Sequence, residues 1–201
     1  GTGRWTVIKI PTLSFYEYCQ LLQLDDMPLL PDHLKITDIP KMENAEVADL
    51  MARFEPLVKH FNRYLTIGGF PELALSDDDL YAQRMLREDV VDKVIKRDVL
   101  TLFKVRSPLL MEKLFLYLCM NSTEIFSATT AAKELDNISP NTIESYVDAL
   151  VKSNLIYMAY PIAVGSKSVL KGRPKIYIAD AAIRNAVLMV DDVLSDEREL
   201  G

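Results

Sequence analysis

Apolar residues in this chain recur mostly at spacings of three and four, and that period predicts a mainly α protein. Val47, Leu50, Met51, Phe54, Leu57, Val58, Phe61, Tyr64 and Leu65 mark an amphipathic helix over about 42–66, with Pro56 as its kink because proline lacks the amide the ladder needs. Gly68 and Gly69 follow the last periodic residue and supply a left-handed cap, while Pro71 prevents continuation. A second long helix is expected from Asp77 to about 103: acids in a first turn complement the helix dipole, and Leu80, Met85, Val90, Val94 and Ile95 give an irregular apolar stripe. Glu88, Asp89, Asp92, Lys93, Lys96, Arg97 and Asp98 crowd its other faces as spaced ion pairs on a solvated surface. Ahead of both, Trp5 to Ile10 reads as a strand, Ser14 and Glu17 form a capping box for a helix over about 14–24, and Pro28, Pro31 and Pro40 punctuate a connector.

The period changes in the last third. Ser107 and Pro108 start a helix carrying Leu110, Leu114, Tyr117 and Leu118 and ending at Asn121. Ser127 caps a short helix with Ala131, Ala132 and Leu135, a polar turn follows at Asp136 and Asn137, and Ser139 with Pro140 opens the next helix. There Ile143, Tyr146, Val147, Leu150 and Val151 form a core-facing stripe. The chain then turns strand-like over 155–162, crosses a Gly/Ser/Lys loop over 165–173 and returns as a strand at Lys175–Ala179, after which Asp180 caps a closing helix. Three helices followed by a hairpin is the winged-helix order. The expected fold is therefore mainly α: a helical segment, then a winged helix-turn-helix domain with a small β-hairpin. The expected segments are 1–40 (strand, short helix and connector), 41–106 (long helices), 107–190 (winged helix) and 191–201 (acidic tail).

Composition narrows the partners. A formal net charge of −6 does not suit a dedicated nucleic-acid binder, so any DNA contact must be local. Cys19 and Cys119 lie far apart among apolar neighbours, which fits two buried thiols in a reducing cytoplasm, and neither they nor His33 and His60 have metal-ligand spacing. No apolar run reaches spanning length, so no membrane partner is expected. An opening strand with no nearby partner, starting at Gly1, marks a piece of a longer protein.

Several local patterns occur in order: Gly3-Arg4-Trp5 leading to Pro11 through Glu17; Tyr64 to Pro71, reading Tyr-Leu-Thr-Ile-Gly-Gly-Phe-Pro; Ile95-Lys-Arg-Asp98; Thr142 to Leu150; and Lys175 to Asp180. Together they resemble a widespread prokaryotic AAA-type ATPase family with a C-terminal domain of unknown function. The resemblance implies a phosphate-binding loop and a magnesium-binding acidic strand upstream of Gly1, and a nuclease-like segment that often follows downstream. No Gly-x-x-x-x-Gly-Lys-Ser/Thr loop occurs within the chain, so catalytic residues are not expected here, and ATP and magnesium would belong to the parent protein. Arg4 is the one exception weighed: by resemblance it sits where an arginine finger reaches a γ-phosphate, and otherwise it is a surface residue at a strand start.

The expected role is a non-catalytic regulatory segment that couples the nucleotide state of the missing ATPase core to a protein effector, with oligomerisation left open. The alternative partner is duplex DNA. The candidate recognition helix exposes Glu144 and Asp148, which repel phosphates, but Lys152, Lys167, Lys171, Arg173, Lys175 and Arg184 stand against Asp180 alone between 151 and 184. Nucleic-acid contact is therefore assigned to Lys167, Lys171, Arg173 and Lys175 on the wing.

Overall fold

Local chemistry sets the first elements of the computed structural model, which describes residues 8, 10–24, 27–28, 34–103, 105–162 and 172–189, with 90–92 for backbone only. Ser14 Oγ accepts from the Glu17 amide, and the Glu17 carboxylate accepts from the Ser14 amide at 2.8 Å, so the expected capping box opens α1 (Phe15–Leu21). The connector holds a 3-10 turn at Ile36–Lys41. The long helix expected over 42–66 is divided by Pro56 into α2 (Asn44–Phe54), a 3-10 turn (Glu55–Leu57) and α3 (Val58–Ile67). Gly68 then adopts φ +79° with ψ −176°, a positive-φ backbone that favours glycine but not the αL geometry of the expected left-handed cap, and α4 (Pro71–Ala74) starts on the proline.

The second long helix begins as expected near Asp78, whose side chain caps α5 (Asp79–Arg87). It does not continue as α. Glu88–Val99 winds as a π-helix and closes in one α turn, α6 (Leu100–Leu102). Leu86, Ile95 and Val99 are buried, at intervals of nine and four. Nine residues bring a side chain to the opposite side of an α-helix but complete about two turns of the wider winding.

α7 (Pro108–Met120) and α8 (Ala128–Glu134) are capped by Ser107 and Ser127, and Asp136 and Asn137 both take positive φ, which makes the tight turn into α9 (Pro140–Lys152). β1 (Ile156–Ala159) and β2 (Lys175–Ile178) pair antiparallel with Ile156 opposite Ile178 and Ala159 opposite Lys175. The far edge of β2 is covered by 122–126, where the Thr123 amide donates to Ile176 O at 2.6 Å, Ile176 N to Glu124 O at 3.2 Å and Phe126 N to Pro174 O at 2.8 Å. Asp180 caps α10 (Ala181–Leu188), which ends at Met189 with φ +55°.

The apolar core runs without a break from α1 to α10. Ile143, Leu150 and Leu114 are fully buried and Tyr146 nearly so, as the stripe predicted; the Tyr146 hydroxyl also accepts from the Ser107 amide at 3.0 Å, fixing α9 to the start of α7. α10 packs back on α3, α5 and α7, closing the last third onto the first helices. Asn185, fully buried, donates to Leu65 O at 2.9 Å. Cys19 and Cys119 are free and buried, and burial raises the Cys19 thiol above its ordinary pKa. Among the described residues no helix is long and apolar enough to cross a membrane. Ile8 and Ile10 are exposed; the rest of the expected strand, Trp5–Val7 and Lys9, lies outside the described residues, as does the tail 191–201.

Candidate functional site

Two places concentrate polar groups. The first is a joint between distant segments. Gly68 and Gly69 leave α3 at the point where α10 begins, and Asp180 Oδ2 accepts from Gly69 N at 3.0 Å while its Oδ1 accepts from Ala182 N at 3.0 Å. The Leu13 amide donates to Gly69 O at 2.7 Å and Leu13 O accepts from the Tyr64 hydroxyl at 2.7 Å, so the entry to α1 is clamped to the same spot. Burial, with Asp180 and Glu17 nearby, pushes the Tyr64 hydroxyl up to about 12. Beneath, the Arg63 guanidinium donates to the Asp79 carboxylate at 2.9 Å, to the Tyr18 hydroxyl and Ala74 O at 3.0 Å each, and to Ser76 O. These bonds hold chain segments together, and Asp180 acts as the helix cap the sequence predicted.

The second place is a groove of about 780 Å³ between α9 and the hairpin. Val147, Val151, Tyr157, Met158 and Tyr160 line it, and Glu144 and Asp148 lie one helical turn apart on the α9 side. Asp148 is bonded by Lys152 Nζ at 2.5 Å, while Glu144 forms no ion pair among the described residues. Arg173 lines the opposite rim.

Of the wing residues, Arg173 and Lys175 are exposed and form no ion pair among the described residues; Lys175 closes β2 against Ala159. Lys167, Lys171 and Arg4 lie outside the described residues. Arg184 does not belong to the basic surface counted from the sequence. It is only 3% exposed and its Nε donates to Cys119 O at 2.8 Å, because α10 turns that face into the core against α7. Arg63 and the Gly69 to Asp180 bond escaped the sequence: an arginine in a helical stripe looks like any solvated charge, and nothing local links positions 69 and 180. Among the described residues no group of three or more His, Cys, Asp or Glu side chains is placed to hold a metal ion.

A mainly helical chain with a two-stranded antiparallel sheet and a polar joint between its third and last helices is the class these observations define. The chain belongs to the family described as a domain of unknown function, DUF8612, which matches residues 58–194. An uncharacterized protein of Haemophilus influenzae is 24% identical over 187 residues, covering 91% of this chain and 40% of its own length. The uncharacterized protein MJ1544 of Methanocaldococcus jannaschii is 25% identical over 153 residues, covering 73% of this chain and 34% of its own length. The chain thus spans well under half of each of these relatives. No solved structure matches it.

Proposed function

We propose that this chain is a non-catalytic regulatory and interaction segment of a larger AAA-type ATP-binding protein. In this proposal α7 to α9 with the hairpin form a winged helix-turn-helix that couples nucleotide state to a protein partner. The observation that carries the proposal is the character of the solvent face of α9. Glu144 and Asp148 stand where a DNA-reading helix would present cations and donors to phosphates and base edges, and apolar Val147, Val151 and Met158 with aromatic Tyr157 and Tyr160 line the same groove. An apolar centre with a polar rim is what a protein surface buries against another protein. The three helices, the hairpin and the 122–126 segment on the far side of β2 support the winged-helix assignment. The ATPase part rests on the family resemblance of the sequence and on the length of the relatives outside the shared span.

Backbone binding to DNA through the wing is the second reading, favoured by the exposed Arg173 and Lys175, which form no ion pair among the described residues. One set of titrations separates the two. The nucleotide-binding portion of the parent protein, added to this chain with ATP and magnesium or with neither, is expected to bind in one nucleotide state, and Glu144→Arg with Asp148→Arg is expected to weaken that binding about tenfold or more. This chain alone is expected not to bind ATP; magnesium-dependent micromolar binding by calorimetry would contradict that. Random-sequence duplex binding that falls with salt, and whose slope flattens by up to about two units in the Lys171→Ala/Arg173→Ala double variant while Asn141→Ala has little effect, would replace the docking proposal with the DNA one. Association with neither partner overturns both.

A further inference from the structure

α2 is an amphipathic helix that no element among the described residues buries. Val47, Leu50, Met51 and Phe54 fall at helical spacings of three and four on one face, yet no residue of the helix is buried and Met51 is 68% exposed. Its main contact is with the 3-10 turn that follows it, and none of the four side chains joins the apolar core. The stripe runs on into a groove of about 450 Å³ lined almost wholly by apolar side chains, among them Phe54, Leu57, Val58 and Phe61 with Phe15 and Tyr16 of α1. A helix gains most of its stability by burying such a face, so an 11-residue helix whose stripe is half-buried at Val47, Leu50 and Phe54 and exposed at Met51 calls for a partner.

We infer that the partner is a second copy of this chain, its α2 packed antiparallel against this one across a two-fold axis. Charge decides the occupant. With Val47 and Leu50 as the inward a and d positions of a heptad, Glu46 and Arg53 are the two flanking g positions, and in an antiparallel pair g positions face each other. The register that sets Val47 against the partner's Leu50, and Leu50 against the partner's Val47, also sets Glu46 beside the partner's Arg53. Symmetry then repeats the ion pair on the other half of the interface. A parallel pair would place Glu46 beside the partner's Met51 and leave both charges without counter-charges. Arg53 is free to serve, since it forms no ion pair among the described residues; the Glu46 carboxylate is engaged only by the Glu43 amide of its own helix, at 3.0 Å, and keeps a second oxygen for the arginine. α2 lies before Val58, where the family match begins, so the proposed interface falls outside the matched residues.

Sedimentation of the whole chain over a concentration series is expected to show a monomer–dimer equilibrium. Leu50→Asp is expected to abolish the dimer while circular dichroism and thermal unfolding stay as in the parent chain, because the side chain supports no core. Glu46→Arg and Arg53→Glu are each expected to raise the dissociation constant about tenfold or more, and an equimolar mixture of the two variants to associate again as a heterodimer with both ion pairs restored. A chain that stays monomeric throughout leaves the stripe to a different partner and overturns the inference. So does a dimer that survives Leu50→Asp, which would be seated elsewhere, or one indifferent to both charge reversals and to mixing, which would not be antiparallel.

Discussion

Asp180 accepts the Gly69 amide, 111 residues away in sequence, through one carboxylate oxygen and the Ala182 amide through the other. Asp180→Ala is therefore expected to lose a helix cap and to strand a buried N–H. The cap contributes about 1 kcal/mol and the unsatisfied amide costs about 1–3 kcal/mol, so chemical denaturation should show a loss of about 2–4 kcal/mol. A loss below about 0.5 kcal/mol would mean that water or another group replaces the carboxylate at no cost.

The two glycines should fail differently. Alanine at Gly68 is strained by φ +79° and places its Cβ 2.6 Å from Asp180 Oδ1, so it attacks the joint from the carboxylate side. At Gly69 a Cβ collides with the backbone of Leu13, and backbone cannot swing away as a side-chain tip can. Gly69→Ala is expected to destabilise by on the order of 1–3 kcal/mol and to speed hydrogen exchange at the Leu13 amide, which loses its bond to Gly69 O. Unchanged protection at Leu13 would show that the segment before α1 tolerates the added methyl.

Leu150 is fully buried in α9 and Leu80 is 80% exposed in α5. Leu150→Ala is expected to cost about 2–5 kcal/mol in urea unfolding, and Leu80→Ala within about 0.5 kcal/mol of zero. Equal effects would mean that α9 does not turn its apolar stripe inward.

Alkaline pH should loosen the fold through Tyr64. Its hydroxyl holds its proton up to about 12 in the folded chain, mainly because the charged form would be buried. The ordinary value for an unfolded tyrosine is about 10. Stability from this group is complete below the lower value and drains away as pH climbs from there to the higher one, since only the unfolded chain releases the proton in that window. Tyr18, raised mainly by burial, acts in the same direction. Unfolding midpoints measured across that range should fall less steeply in Tyr64→Phe than in the parent chain; identical slopes would contradict the assignment.

Short-range rules carried much of this fold. The capping box at Ser14 and Glu17, the positive-φ glycine at Gly68, the serine caps of α7 and α8 and the inward stripe of α9 each depend on residues within a turn or two of one another, so the sequence displays them. The π-wound segment announced itself only as an irregular stripe, because its winding matches neither the helical period nor alternation. Arg63 stayed hidden for another reason. Two of its four partners are the carbonyls of Ala74 and Ser76, which have no side-chain signature, and Tyr18 comes from a separate helix. Arg184 misled because a cation near a basic loop is indistinguishable in sequence from one that folds inward; only the return of α10 against α7 decides it. Of the wing cations, the described residues place Arg173 and Lys175.

Gly69 meets Asp180 at one end of α3 and α10, and Leu65 meets Asn185 farther along both, so the two helices run side by side in opposite directions. Val58, where the family match begins, and Leu188, near its close, are thereby brought to the same side of the unit. With the first helix of the matched unit and its last described helix ending on one side, the unit has the arrangement by which a domain is carried as an insert in a longer polypeptide.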